Sequence, residues 1–193
     1  MKKTIVWMFL IIILYALSSC TALRRSFKPS GFTYKYDGKY TGLDTLIDID
    51  GYYKSIERQS EPNPNPDSRI TRYHSALMFY RDGLVCYIIS DNPWKTFRDR
   101  LYPVRSWGTY KVYGDTIKCQ FISDLGAMGG VPVRFITYHI VSKAKIEEID
   151  REGGKIMHSF YPLENRIDST EWNWALKKKW FWEKEAWKNR KDK

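Results

Sequence analysis

The sequence predicts an all-β chain, an antiparallel up-and-down meander or barrel of about eight strands with a C-terminal helix. Three observations predict it. Short segments rich in apolar, β-branched and aromatic residues recur from residue 46 to 165, and most meet the next across a tight reversal, the pattern of antiparallel hairpins. Aromatic residues, which favour strands and large buried contacts, are abundant: 8 Trp, 14 Tyr and 9 Phe. From Asp168 onward Gly and Pro are absent and the period changes.

The first strand is expected over "IDIDGYYKSIE", residues 47–57. The following "RQSEPNPNPDSR" places Pro62, Pro64 and Pro66 among polar residues, which excludes both a helix and a central strand. It reads as a long exposed loop. "RYHSALMFY" then meets "GLVCYIIS" across Arg81-Asp82-Gly83, and Asp-Gly is a strong hairpin signal. In "DNPWKTFRDRLYP", Asn92 can cap a helix and Pro93 suits its first position. Trp94, Phe97 and Leu101 would share one face of that short helix.

"SWGTYKVY" meets "TIKCQFIS" across Gly114-Asp115. "VRFITYHIVS" follows the Gly-rich "DLGAMGGVP", and "AKIEEID" meets "KIMHSFYPL" across Glu152-Gly153-Gly154. Alternation groups Ile117, Cys119 and Phe121 on one face, then Ile136, Tyr138 and Ile140, then Ile156, His158 and Phe160. Glu147 and Glu148 must point to opposite faces, so they cannot act as a carboxylate pair.

The tail from Asp168 carries five tryptophans. Asp168 and Glu171 suit a capping box, and Trp172, Leu176, Trp180 and Trp187 would share one helical face. Trp174, Phe181 and Trp182 fall elsewhere, among Lys177, Lys178, Lys179, Lys184 and Lys188. Trp172, Trp180, Trp182 and Lys178 are therefore candidates for a membrane or partner contact, with packing on the β domain as the competing use.

The N-terminus has its own signature. Lys2 and Lys3 precede an apolar run from Thr4 to Leu17, shorter than the ~20 residues that span a bilayer comfortably. Leu17-Ser18-Ser19-Cys20 follows and resembles the lipobox of bacterial lipoproteins. That resemblance implies cleavage before Cys20, acylation of its thiol and amino group, and attachment to a membrane. Thr21, rather than Asp, as second mature residue implies the outer membrane, on its periplasmic face. Residues 1–19 would then be the signal peptide, 20–45 a tether, 46–165 the β domain and 166–193 the basic tail.

The chain holds 32 Lys+Arg against 22 Asp+Glu, a net charge of +10 that becomes +8 without Lys2 and Lys3. Such a balance ordinarily suggests nucleic acid. The export signal points instead to anionic headgroups or envelope polymers. With Cys20 acylated, Cys86 and Cys119 remain on strands separated by another strand, and they are expected as two buried thiols. No Cys or His spacing matches a metal site, and His74, His139 and His158 are dispersed. No nucleophile motif or phosphate-cradling loop is present in the sequence, so neither a catalytic residue nor a cofactor is expected.

An exported meander with a Gly-aromatic first strand and a closing helix resembles the lipocalin-like (calycin) proteins. Their Gly-x-Trp has its counterpart here in Gly51-Tyr52-Tyr53, and "EPNPNPDS" falls where their large first loop covers the barrel mouth. "WGTYKVYGDTIKCQF" matches a later segment of small lipoproteins of this kind. The resemblance implies a binding module that takes a small apolar ligand or an envelope component, with Tyr52, Trp107, Tyr110 and Tyr138 as candidate ligand residues. The alternatives are a structural envelope lipoprotein with a closed core, acting through its Trp-rich tail, and an uncharacterised hydrolase.

Overall fold

A computed structural model describes residues 29–56, 58–59, 72–99, 106–123, 133–149, 152–164, 169 and 173–190. The strands are β1 (Gly51–Ser55), β2 (Arg58–Gln59), β3 (Arg72–Phe79), β4 (Leu84–Ser90), β5 (Ser106–Tyr113), β6 (Thr116–Ser123), β7 (Val133–Ser142), β8 (Lys145–Ile149) and β9 (Lys155–Pro162). Every neighbouring pair is antiparallel. From β3 to β9 each strand pairs with the next, and β9 returns to β1. Pairing of Tyr53 with Leu77 and Lys54 with Ala76 then closes eight strands into a barrel. The two residues of β2 extend the edge beside Arg72 and Tyr73.

Closure removes the exposed edge that an open sheet would present. It also separates two apolar clusters by strand parity. The inner cluster includes Tyr53, Leu77, Phe79, Val85, Tyr87, Tyr110, Cys119, Phe121, Ile136 and Tyr138. The outer one includes Tyr52, Ala76, Met78, Cys86, Trp107 and Ile122. Cys86 and Cys119 thus face opposite sides of the barrel wall, and both are buried and outside any disulfide.

One end of the barrel is plugged. The chain turns through a 3-10 segment, Leu43–Thr45, and drives Leu43, Ile47 and Ile49 into the inner cluster. Backbone bonds hold this plug on the tight turns: Thr41 N donates to Arg81 O at 2.9 Å and Asp48 N to Lys143 O at 2.9 Å. Gly83 supplies the positive φ that its turn requires, at 90°. The first strand is shorter than the expected 47–57, because residues 47–49 belong to the plug. At the other end β1, β4, β6 and β8 terminate and the longer connections leave.

The outer cluster is buried by the two ends of the described chain. Phe32 and Tyr36 pack on it from one side, and Trp174, Ala175, Leu176 and Phe181 from the other. Residues 29–45 are therefore folded onto the barrel, where a free tether was expected. Gln120 explains the docking. It sits fully buried on the outer face of β6, accepts from Thr33 N at 2.8 Å and Tyr34 N at 2.7 Å, and donates to Gly31 O at 2.7 Å.

The tail also departs from expectation. Among the described residues from Asn173 onward it forms two 3-10 turns, Trp174–Lys177 and Lys179–Phe181, before the expected C-terminal helix, which is short, Lys184–Arg190. Asn173 caps the first turn, its side chain accepting from Ala175 N at 3.0 Å. A long helix would have spread its bulky aromatics around the axis, whereas the turns deliver Trp174, Leu176 and Phe181 together onto the barrel. The predicted mid-chain helix is present as α1 (Pro93–Asp99), and Lys95 N donates to the Asn92 side chain at 3.1 Å, as a cap should. Phe97 is buried, but Trp94 is exposed. The tail helix Lys184–Arg190 is α2.

Candidate functional site

Apolar side chains fill the plugged half of the barrel. The other half carries a polar group inside the wall. Parity sends Ser75 (β3), Tyr87 (β4), Arg134 (β7), Glu148 (β8) and His158 (β9) inward with Tyr138 (β7). Glu148 stands opposite Tyr138 across the β7–β8 ladder. His158 stands opposite Ile146, one step diagonal from Glu148, within reach of a long side chain.

His158 Nε2 and Glu148 Oε2 are 3.0 Å apart, with the two side chains 0% and 4% exposed. Arg134 Nη2 lies 3.8 Å from the other carboxylate oxygen. Its guanidinium also stacks 5.2 Å over the Tyr87 ring and reaches the Tyr87 hydroxyl at 3.4 Å. The Arg134 side chain, 50% exposed, extends from the buried pair toward the end from which the longer connections leave. The Tyr138 ring meets the His158 imidazole edge-on, 5.7 Å between centroids.

Three atoms of this group have no hydrogen-bond partner among the described residues: Ser75 Oγ, the Tyr138 hydroxyl and His158 Nδ1. A buried polar atom left unpaired costs ~1–3 kcal/mol. When Nε2 donates to Glu148, a neutral imidazole presents Nδ1 as an acceptor. These orphans therefore offer two hydroxyls and a ring nitrogen to whatever reaches them.

Electrostatics follow burial. Burial pushes the Tyr138 phenol well above its ordinary range, and the Glu148 charge pushes it further. Burial and then Glu148 do the same to the Cys119 thiol, which stays protonated and inert. Burial raises Tyr87 too, against the opposing pull of Arg134. No group of three or more His, Cys, Asp or Glu suited to a metal occurs among the described residues.

Of the four aromatics expected to meet a ligand, Tyr138 is fully buried in this group. Tyr110 faces the interior at the plugged end, where its hydroxyl donates to Tyr80 O at 2.6 Å and meets Thr41 Oγ1 at 2.7 Å. Tyr52 and Trp107 do not face the interior. Parity turns both outward, Tyr52 against Phe97 and Tyr161, and Trp107 against Tyr80. Trp180 and Trp182 are half-buried at the outer cluster and Lys178 is half-exposed beside them. Cys20 and Trp172 lie outside the described residues.

Glu148, Arg134 and Tyr87 were missed by reading the sequence. A signal existed for two of them. If Glu147 and Glu148 point to opposite faces of a closed barrel, one carboxylate must be inside. Arg134 shares its parity with Ile136 and Tyr138. No family model, curated protein or solved structure matches the chain.

Proposed function

We propose that the chain is a lipid-anchored, lipocalin-like binding module that holds a small, largely apolar ligand or an envelope component by a polar head group. The closed eight-stranded barrel is compatible with that architecture. The observation that carries the reading is the Glu148–His158 pair buried inside the barrel, with the Tyr138 hydroxyl and His158 Nδ1 unpartnered among the described residues. Stability alone is poorly served by such a group, since a well-packed apolar replacement is often neutral or better. Small-ligand sites combine apolar walls with a few placed polar groups in the same way.

Holding, rather than reacting, is the role assigned. The lipid on Cys20 would keep the module at the outer membrane, facing the periplasm, without nucleic acid or a cofactor as partner. Native mass spectrometry of the full chain extracted from membranes tests the reading. A co-purifying molecule is expected on the parent chain and is lost from Tyr138→Phe and His158→Gln. A parent chain that carries no adduct, and gains none when offered membrane extract, overturns it.

A further inference from the structure

We propose that the segment Asn173–Arg190 forms a cationic face lying against anionic lipid headgroups, and that the contact is electrostatic rather than inserted; the orientation rests on the lipid-anchor reading given above. The segment holds six cationic residues, Lys177, Lys178, Lys179, Lys184, Lys188 and Arg190, against two carboxylates, Glu183 and Glu185. All but Lys178 among the six are exposed. Lys188 pairs with Glu185 at 2.9 Å, which leaves an excess of positive charge on the rest.

The position of this charge is fixed by the other end of the chain. Tyr36 and Trp182 form a parallel bridge. Tyr36 N donates to Phe181 O at 2.9 Å, and Glu183 N donates to Tyr36 O at 2.8 Å. The Phe32 and Phe181 rings stack with centroids 5.3 Å apart. Lys35 Nζ ties the segments again, donating to the carbonyls of Phe32 at 3.0 Å and Trp180 at 2.6 Å. The strip of chain that leads back toward Cys20 is therefore stapled to the cationic tail. From Pro29 to Cys20 an extended backbone spans at most about 30 Å. A bilayer holding Cys20 would have the tail as a near neighbour.

Trp174 is buried, Trp180 and Trp182 are half-buried against the outer cluster, and Trp187 packs on Trp182. Trp182 Nε1 donates to Leu176 O at 2.8 Å, and Trp180 packs edge-on against Phe32 at 5.9 Å. What faces outward is ammonium groups, and charge attracted to an anionic surface acts within about one Debye length, ~8 Å at physiological salt. A salt-sensitive lysine contact thus stands where an interfacial tryptophan helix was expected.

The test uses the full chain in nanodiscs of phosphatidylcholine, with or without phosphatidylglycerol. An environment-sensitive dye is placed by Asn189→Cys, an exposed site, and a nitroxide headgroup lipid serves as quencher. Quenching is expected to be about fivefold stronger in the anionic discs and to fall to the neutral-disc level in high salt. The joint substitution of Lys177, Lys178, Lys179 and Lys184 by Gln should abolish the difference, whereas Lys143→Gln with Lys145→Gln should preserve it. Equal quenching in both discs, or a difference that survives salt or the fourfold substitution, overturns the proposal. Failure of the chain to enter discs, or dye reacting at Cys20, counts against the anchor alone. Sedimentation with phosphatidylglycerol vesicles then decides the surface: binding lost on fourfold substitution supports it, and no binding overturns it.

Discussion

His158 Nε2 lies 3.0 Å from Glu148 Oε2 inside the barrel wall, and the Arg134 guanidinium lies 3.8 Å from the other oxygen of that carboxylate. Removing one member of a buried pair strands the other. Glu148→Ala should therefore destabilise the fold by about 1–3 kcal/mol, and Glu148→Gln, which keeps a hydrogen-bonding group, by less. Urea denaturation of the two variants checks the order. Equal, small losses would show the pair to be solvated and not closed inside the wall.

Tyr138→Phe separates a site from a structural network. The Tyr138 hydroxyl makes no hydrogen bond among the described residues, so deleting it removes an unpaired buried polar group. Stability should stay within about 1 kcal/mol of the parent, or rise, while retention of any co-purifying ligand drops. A loss of several kcal/mol without effect on ligand retention would assign the hydroxyl to the fold.

The strands were legible because each lies between turn signals and alternates. All eight expected strands form, and Asp82-Gly83, Gly114-Asp115 and Gly153 mark their reversals. Faces were legible on β6, β7 and β9, where Ile117, Cys119, Phe121, Ile136, Tyr138 and His158 all turn inward. On β1 and β5 the wall is apolar on both sides, and periodicity cannot say which of Tyr52 and Tyr53 is inside. That depends on what covers the outer face, which here is Phe97 of α1 at Tyr52 and, over the rest of the cluster, the segments that carry Phe32, Tyr36, Trp174 and Phe181. The tail misled for a related reason. Its tertiary contacts with Phe32 and Tyr36 override a helical period that a single sequence displays.

Alkali should unfold the protein in a defined window. Burial raises the phenols of Tyr36, Tyr53, Tyr87, Tyr110 and Tyr138, and pushes that of Tyr52 up to about 12. An unfolded tyrosine ionises near ~10. The folded chain thus binds more protons than the unfolded chain above that pH, and stability falls as pH rises. For Tyr52 the contribution is complete below about pH 10 and is gone once pH has passed through about 12. A tyrosinate absorbance titration should show a set of tyrosines ionising late, together with loss of near-ultraviolet dichroism. Smooth titration of all 14 tyrosines near pH ~10, with the fold intact, contradicts the burial of these rings.

Gly51 opens β1 at a point of close approach. A Cβ built there would lie 2.1 Å from Tyr161 O and 2.8 Å from the Phe160 ring, so backbone must move to admit it. Gly51→Ala should cost at least the ~1–3 kcal/mol typical of overpacking, because a carbonyl cannot rotate away as a side chain can. The thermal midpoint reports it. A midpoint unchanged from the parent would mean that β1 and β9 separate at this end at little cost.

Gln120 offers the cleanest test of whether the first described segment is part of the folded unit. Its amide satisfies Gly31 O, Thr33 N and Tyr34 N at once, and Thr109 Oγ1 adds a bond to Tyr34 O at 2.5 Å. Gln120→Ala leaves three part-buried backbone groups without their partner. At roughly 1 kcal/mol per hydrogen bond lost, the segment should open ahead of the barrel. Hydrogen exchange is expected to accelerate at Thr33, Tyr34 and Tyr36, and at Glu183, whose amide bonds Tyr36 O, while β5 and β6 keep their protection. Because Tyr36 and Trp182 are bridged, the same variant should loosen the tail. If exchange changes at neither terminal segment, the two are held by their aromatic contacts alone and the Gln120 cradle is incidental.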